Sequence, residues 1–431
     1  MVKSRSGALE RGLRIGRLGF GLMGSYLGYQ AQRLLLGESD QRQTRFRRKA
    51  SRRVTEELGA LKGPAMKLGQ LLSMETTLPP EAIEELAQLQ MQAPGMHPSL
   101  ARAQFKSSVG KYPEEVFRQF DPEPFAAASL GQVHRAVTPD GQKAAVKIQY
   151  PAIRSAIEND FKLLRSATLP TQLSGHVPVA LLDEIERGLL EETDYAREAD
   201  NLDFFRKGLE GLDYLAIPRP FREWCTDRVL TMTFVEGEKM DGFLRRKPPQ
   251  PLRNLLGARL VEMYDTQLRR LKAIHADHHP GNYLFQPDGR IGVVDFGCVK
   301  HISFDVMELR RGFRTRAWRQ GEAQARRYLA IVFGPHVPYR RARRILPLLE
   351  QQADLLFPDG SEGDLVFDYS RDSKLLAKLR KLGAVQQKLI FKDKLINPEF
   401  AFVTRADYGL RFLLHELKAV VDLTEVWRQP A

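Results

Sequence analysis

The stretch that decides the fold spans residues 275–297 and reads HADHHPGNYLFQPDGRIGVVDFG. It places Asp277 five residues before Asn282, and Asp295 comes directly after a short apolar run. Carboxylate and amide oxygens are the ligands that Mg²⁺ takes at sites that act on phosphates. The stretch therefore predicts a loop in which Asp277 faces an attacking oxygen while Asn282 and Asp295 bind Mg²⁺.

The same spacing is typical of protein kinases, whose catalytic loop has an asparagine five residues after its aspartate and is followed by Asp-Phe-Gly. Asp-Phe-Gly alone is weak evidence, but its combination with a correctly spaced loop is strong evidence. The histidines His275, His278 and His279 could alternatively indicate zinc, yet no cysteine pair or second histidine pair stands at ligand spacing. We therefore favour phosphoryl transfer and interpret His275 as a structural anchor of the loop.

A predicted β-hairpin precedes this loop in the chain. Residues 125–136 read FAAASLGQVHRA and residues 144–149 read AAVKIQ, with a turn between them. Lys147 stands on the return strand, where kinases have the lysine that pairs with nucleotide phosphates and with a helix glutamate. The acidic run 191–198 contains the candidates for that partner. The alternatives are an ordinary edge lysine and a solvated helix face.

Alanines stand where a glycine-rich phosphate loop is expected, at Ala126, Ala127 and Ala128, and Ser129 follows them. Each alanine Cβ restricts φ and keeps the backbone farther from phosphates than glycine would. We therefore expect a nucleotide geometry or preference that differs from that of ordinary kinases. The segment 233–237 after the next predicted strand is the expected hinge, with backbone groups for adenine at Val235.

Composition limits the class of protein. The chain has 431 residues, with 43% hydrophobic and 28% charged residues, which is a globular composition. Two cysteines exclude a disulfide scaffold and favour a reducing compartment. The longest uncharged stretch near either end, residues 18–32, is shorter than the ~20 residues that a spanning helix needs. We expect no transmembrane helix and no signal peptide, and hence a cytoplasmic location.

The formal net charge of +13 is concentrated in two regions. Residues 1–60 hold 13 basic and five acidic side chains, and residues 301–350 hold 11 basic and four acidic ones. Such patches favour anionic partners. No base-stacking motif accompanies the arginines, which disfavours nucleic acid. We expect peripheral contact with an acidic membrane surface at its inner face.

These residues together resemble the UbiB/AarF family of atypical kinase-like proteins, which is linked to ubiquinone biosynthesis. The resemblance covers about residues 50–300 and rests on several motifs in the family's order. The matches are K-x-G-Q at residues 67–70, the alanine-rich loop at 126–134, the strand lysine Lys147, E-x-D at Glu192 and Asp194, the helix glutamate Glu198, the catalytic Asp277, and the metal ligands Asn282 and Asp295.

The resemblance implies an α+β, protein-kinase-like two-lobed fold with an N-terminal helical extension and a helical C-terminal region. The predicted parts are a basic leader at 1–50, a helical extension at 51–120, a kinase-like N-lobe with inserted helices at 121–237, and a helical C-lobe at 238–431. In the family, the K-x-G-Q helix lies over the active site and obstructs protein substrates. This would place Lys67 near Glu192 and Asp194, since a buried lysine needs paired carboxylates.

The implied function is that of an ATPase or small-molecule kinase in quinone or lipid metabolism, with ATP or ADP and Mg²⁺ as cofactors. The alternative is a non-catalytic, nucleotide-sensing scaffold of a lipid-biosynthesis complex. Six residues are expected in catalysis: Lys67, Lys147, Glu192, Asp194, Glu198 and Asp277. Nucleotide binding is expected at Ala126, Ala127, Ala128, Ser129, Gly131, Gln132, Val133, Lys147 and Val235.

The chain departs from the family pattern in two ways. The family usually has proline directly after the catalytic aspartate, whereas this chain has His278. That histidine could bind phosphates or titrate near neutrality, and we favour a tolerated loop variant. Many bacterial members also end in two transmembrane helices, whereas residues 420–427 indicate an ordinary amphipathic segment within a C-terminal region expected to be helical.

Overall fold

The structure, a computed structural model, describes residues 96–128, 130–159, 161, 162, 165, 179–357, 366–370, 377–379, 381–383, 385, 386, 389 and 398–424. Helices and largely antiparallel sheets alternate along the chain, which confirms the predicted α+β class. Two compact units are present. The first contains Pro220–Phe234 and the chain up to Ala199, and the second contains Asp200–Arg219 and the chain from Val235. The domain bounds drawn from the sequence stay a prediction.

A five-stranded antiparallel sheet forms the centre of the first unit. Four of its strands lie side by side in the order β1 (Gln119–Phe120), β3 (Gly131–Val137), β4 (Lys143–Gln149) and β6 (Val229–Thr233). The fifth strand, β2 (Ala126–Ala128), also pairs with β3. The hairpin of β3 and β4 confirms the sequence prediction. Its turn requires a residue with positive φ, which Gly141 supplies at 86°.

The two faces of this sheet have different roles. One face packs on helix α1 (Pro98–Val109), where Phe105, Val146 and Ile148 belong to one buried cluster. Successive side chains of a strand point to opposite faces. Val133 and Lys147, which are directly paired across β3 and β4, therefore lie on the other face. We call this surface the Lys147 face.

The helices α2 (Pro113–Val116), α3 (Val179–Glu192) and α4 (Tyr195–Gly208) follow in the chain, and residues 153–159 are also helical. The sequence pattern predicts one helical run over residues 179–210, and the structure interrupts it between α3 and α4. Asp194 lies at this break and accepts a hydrogen bond from the Arg197 backbone N–H at 3.1 Å, as residues that begin helices commonly do.

Short sheets and helices form the second unit. One sheet has four strands in the order β5 (Leu215–Ala216), β10 (Ile291–Val293), β9 (Tyr283–Phe285) and β7 (Glu238–Lys239). A second sheet consists of β8 (Ala273–His275) paired with β11 (Val299–His301). The sequence pattern predicts a helix over residues 251–274, but the observed α-helix ends earlier. Helix α6 (Gln250–Thr266) passes into a π-helical turn, and Lys272 then takes a φ of 47°, which directs the chain into β8.

The chain after residue 300 is mainly helical, as predicted, with one exception. Residues 420–422 were expected in a helical terminal region, but they form β13 (Val420–Asp422), which pairs with β12 (Val366–Asp368). No helix among the described residues is long and apolar enough to cross a membrane. The remaining helices are α5 (Met240–Arg245), α7 (Val306–Arg314), α8 (Glu322–Phe333), α9 (Tyr339–Ala342), α10 (Leu346–Leu356) and α11 (Pro398–Leu417).

Candidate active site

The loop after β8 brings Asp277 and Asn282 together. The Asn282 amide nitrogen donates to the Asp277 carbonyl oxygen at 3.0 Å and to its Oδ2 at 3.3 Å. The Asp277 side chain is almost completely buried, whereas Asn282 is half-buried. The five-residue spacing seen in the sequence therefore corresponds to a closed loop in which the amide fixes the carboxylate.

The Asp-Phe-Gly turn is attached to this loop by His275. The His275 Nε2 and the Asp295 carbonyl oxygen lie 2.6 Å apart, which confirms that this histidine anchors the loop. The Asp295 Oδ1 accepts a hydrogen bond from the Gly297 N–H at 3.1 Å. Phe296 is buried between Phe205 and His275, with ring centroids 4.9 and 5.2 Å away. The packing thus fixes the direction in which the turn leaves β10.

His278 lies in the interior of the second unit and is 2% exposed. Its Nδ1 shares a hydrogen bond with the Tyr283 hydroxyl. Burial lowers the pKa of His278 to about 3, with a smaller contribution from His275, while the charge of Asp277 opposes the shift. The alternative that this histidine titrates near neutrality is therefore wrong. The same burial, assisted by Asp277, raises the pKa of Tyr283, so that both groups are neutral at physiological pH.

Lys147 and Glu198 form a buried ion pair in the first unit. The Lys147 Nζ lies 2.9 and 2.8 Å from the two carboxylate oxygens of Glu198, and the two side chains are 6% and 2% exposed. Tyr195, one turn before Glu198 on α4, places its ring 4.9 Å from the same Nζ. Tyr195 was not predicted from the sequence, although its spacing of three residues from Glu198 puts both on one helix face.

The predicted nucleotide loop is divided between the two faces of the sheet. Ala126 pairs with Val133 and Ala128 pairs with Gly131, so these residues share the Lys147 face. Ser129 lies outside the described residues, and the third alanine, Ala127, pairs with Gln132. At Gly131 a Cβ would lie only 2.3 Å from the Ile148 carbonyl oxygen, so that the close approach of β3 and β4 requires glycine.

The side chain of Gln132 points away from the Lys147 face, so only its backbone is available for the predicted nucleotide contact. Gln132 is paired with Ile148 on the core face and is 1% exposed. Its Oε1 accepts from the Met96 backbone N–H at 2.6 Å, and its Nε2 lies 2.9 Å from His134. Because strand residues alternate, the carboxamide is used to hold the chain before α1 and cannot reach a nucleotide on the other face.

The remaining predicted residues are Glu192, Asp194, Val235 and Lys67. Glu192 ends α3 and is half-buried, and Asp194 lines a groove of about 430 Å³ together with Arg154, Arg187 and Arg197. Lys67 and the rest of K-x-G-Q lie outside the described residues. In the second unit Val235 packs on β10, where a Cβ at Gly292 would lie 2.6 Å from its Cγ1, so that only the backbone of Val235 remains for a hinge.

A buried lysine–glutamate pair, an Asp–Asn loop and an Asp-Phe-Gly turn define a kinase-like protein. The family model of the ABC1 atypical kinase-like domain matches residues 88–318, more than half of the chain. The chain belongs to this family, which confirms the resemblance to UbiB/AarF proteins and the kinase-like fold.

Relatives agree with this assignment. The chain is 31% identical over 271 residues to Protein ACTIVITY OF BC1 COMPLEX KINASE 7, chloroplastic, of Arabidopsis thaliana, covering 62% of this chain and 39% of that relative. It is 34% identical over 223 residues to the Probable protein kinase UbiB of Pseudomonas aeruginosa, covering 50% and 42%. The chain thus spans less than half the length of these relatives.

A solved structure covers more of the chain. The complex of Rv3197 with erythromycin from Mycobacterium tuberculosis superposes with a TM-score of 0.60 at 28% sequence identity, covering 90% of this chain and 97% of the other.

Proposed function

We propose that this chain is an atypical kinase-like phosphotransferase or ATPase that uses ATP or ADP with Mg²⁺. The observation that carries this proposal is the buried pair of Lys147 and Glu198, because kinases need this pair in place for the lysine to position nucleotide phosphates. Glu198 accepts hydrogen bonds from the Lys147 ammonium with both of its carboxylate oxygens, which fixes the position of the ammonium group.

Asn282 and Asp295 are the proposed Mg²⁺ ligands. The Asn282 amide nitrogen is engaged by Asp277, and its oxygen accepts no hydrogen bond within the described part of the chain, so that oxygen suits a cation. Two oxygen donors, completed by phosphate and water oxygens, fit the preference of Mg²⁺ for octahedral oxygen ligands. Mg²⁺ would neutralise negative charge on the phosphates.

Asp277 is proposed to orient or deprotonate the attacking water or hydroxyl group. The hydrogen bonds from Asn282 hold the carboxylate in one position, as such a role requires. Lys67, Glu192 and Asp194 are proposed to form an ion network that excludes protein substrates. A small molecule of quinone or lipid metabolism is the proposed phosphoryl acceptor in place of a protein, as the resemblance to the UbiB/AarF family implies.

An acidic membrane surface is the proposed partner of the basic region after residue 300. Arg340, Arg341 and Arg343 are exposed on α9 and the following turn, and none of them forms an ion pair with another described residue. Anionic vesicles containing phosphatidylglycerol should bind the protein in low salt and release it in high salt. Changing the three arginines to glutamine should weaken binding, whereas Arg326→Gln, whose arginine is already paired with Glu322, should have little effect.

The metal assignment is tested by thermal unfolding with and without Mg-ATP. Mg-ATP should raise the melting temperature of the parent chain by mass action, and Asp295→Asn should abolish that rise. Asp288→Asn is the matched control, because Asp288 is an exposed carboxylate in the same hairpin and is paired with Arg290. An undiminished rise in Asp295→Asn would contradict the assignment.

Phosphate release separates the enzyme from the scaffold alternative. For an enzyme, Asp277→Asn should lose turnover and keep the Mg-ATP-dependent rise in melting temperature, because Asp277 is not a proposed metal ligand. For a nucleotide-sensing scaffold, the parent chain should bind Mg-ATP without measurable turnover, with and without detergent or anionic vesicles.

A further inference from the structure

The hydrogen bond between His278 and Tyr283 closes the catalytic loop a second time. Asn282 reaches back to Asp277 across five residues, and Tyr283 reaches back to His278 across the same span. The rings of His278 and Tyr283 are also stacked, with centroids 6.0 Å apart and planes inclined by 23°. Asp277, the proposed catalytic residue, thus stands next to His278 in the sequence. Asn282, a proposed metal ligand, stands next to Tyr283.

Helix α11 packs directly on this pair. At Gly409 of α11 a Cβ would lie 2.7 Å from the His278 Cβ and 3.5 Å from its Cα, so that only glycine permits the observed contact. Tyr264 of α6 packs edge-on against His278 with centroids 5.4 Å apart, and its hydroxyl donates to the Val403 carbonyl oxygen of α11 at 3.1 Å. His278 is therefore enclosed by α6, α11 and its own loop.

This helix lies outside the family domain. The ABC1 match ends at residue 318, whereas α11 spans Pro398–Leu417. It meets the catalytic loop at the residue where this chain departs from the family's proline. A proline stiffens a loop by fixing its own φ. A histidine lacks that restriction, and its loop must be held by contacts of its side chain.

We propose that His278 is a positioning residue for Asp277, and that α11, through Gly409, holds His278 in place; this inference rests on the proposed function. The loop is held by the hydrogen bond of His278 to Tyr283 and by the contact of His278 with α11, a helix outside the matched family domain. His278 touches no substrate in this scheme and acts only through the position of the loop.

Substitutions at His278 test the hydrogen bond. His278→Leu fills a similar volume without a polar atom and should lower kcat roughly 10- to 100-fold, since a shift of about 1 Å in a catalytic group has effects of that size. The KM for Mg-ATP should stay within about twofold, because Lys147 and the metal ligands are unchanged. His278→Asn should restore most of kcat, because its carboxamide can still bond to the Tyr283 hydroxyl. Tyr283→Phe should resemble His278→Leu.

Gly409→Ala tests the role of α11. The added methyl must displace either His278 or the helix, and kcat should fall while KM is kept. Gly188→Ala is the matched control, since a Cβ at Gly188 of α3 meets no atom within 4 Å. That variant should keep the parent kcat and KM.

Amide hydrogen exchange in residues 275–283 gives a readout that does not need turnover. Exchange should be faster in His278→Leu and Gly409→Ala than in the parent and in Gly188→Ala. Unchanged exchange in both test variants would overturn the inference, as would faster exchange with an unchanged kcat in an active protein. Absence of turnover in the parent chain would refute the proposed function instead, and exchange would then decide whether α11 holds the loop.

Discussion

Replacing Glu198 by glutamine should destabilise the first unit strongly. The substitution keeps the size and shape of the side chain but removes the charge that faces the Lys147 ammonium at 2.8 Å. Both side chains are nearly inaccessible to water, so the remaining positive charge would stay buried without its counter-ion. Removal of one partner from such a pair costs about 3–5 kcal/mol. A unit of this size should then lose roughly 6–20 °C in melting temperature.

Urea unfolding followed by tryptophan fluorescence and far-UV circular dichroism measures this loss. Trp224, in the first unit, reports on that unit if Trp318 and Trp427 are changed to phenylalanine in the parent and every variant. Glu114→Gln is the matched control, because Glu114 also lies in the first unit and its pair with Arg102 is about half exposed and worth only about 0.5 kcal/mol. A loss in Glu198→Gln no larger than in this control would refute the reasoning. The double variant Lys147→Met/Glu198→Leu should recover much of the stability, since apolar residues can replace a buried pair.

Two further predictions follow from individual contacts. Gly131→Ala should lower the free energy of unfolding by about 1–3 kcal/mol and weaken Mg-ATP binding, because the new Cβ meets the β4 backbone. Urea unfolding measures the loss of stability, and calorimetric titration measures the loss of binding. Between about pH 6.5 and 3, unfolded His278 binds a proton that the native residue does not, so stability should fall as the pH falls, by at most ~1.4 kcal/mol per pH unit from this residue. His278→Asn should remove that part of the slope in urea midpoints measured from pH 7 to 4, and an unchanged slope would contradict the burial of a neutral imidazole.

Local spacing in the sequence was enough to predict the catalytic loop. Asp277 and Asn282 are five residues apart, and a loop of that length can close on itself with a single hydrogen bond. The Lys147 strand was predictable for a similar reason, because its hairpin has a clear turn and alternating apolar residues. Its partner Glu198, 51 residues away, followed only from the family resemblance, since spacing left the whole acidic run 191–198 open.

Contacts between distant segments were not predictable from the sequence. Gln132 stands inside a nucleotide motif, yet strand alternation and a bond to Met96, 36 residues away, direct its side chain to the core. The early end of the helix before β8 depends on pairing with β11, which lies beyond the catalytic loop. The burial of His278 depends on α11, and no local pattern relates a histidine in a loop to a glycine in a helix near the C-terminus.

The contact between His278 and Gly409 means that the matched family domain, which ends at residue 318, is not a complete packing unit. A chain ended at residue 318 would retain the loop motifs of residues 275–297, but it would leave His278 and Tyr264 without the helix that covers them. Exchange of whole domains between relatives would meet the same difficulty. A proline-containing loop could be transferred by itself, whereas this loop must be inherited together with α11 as one unit.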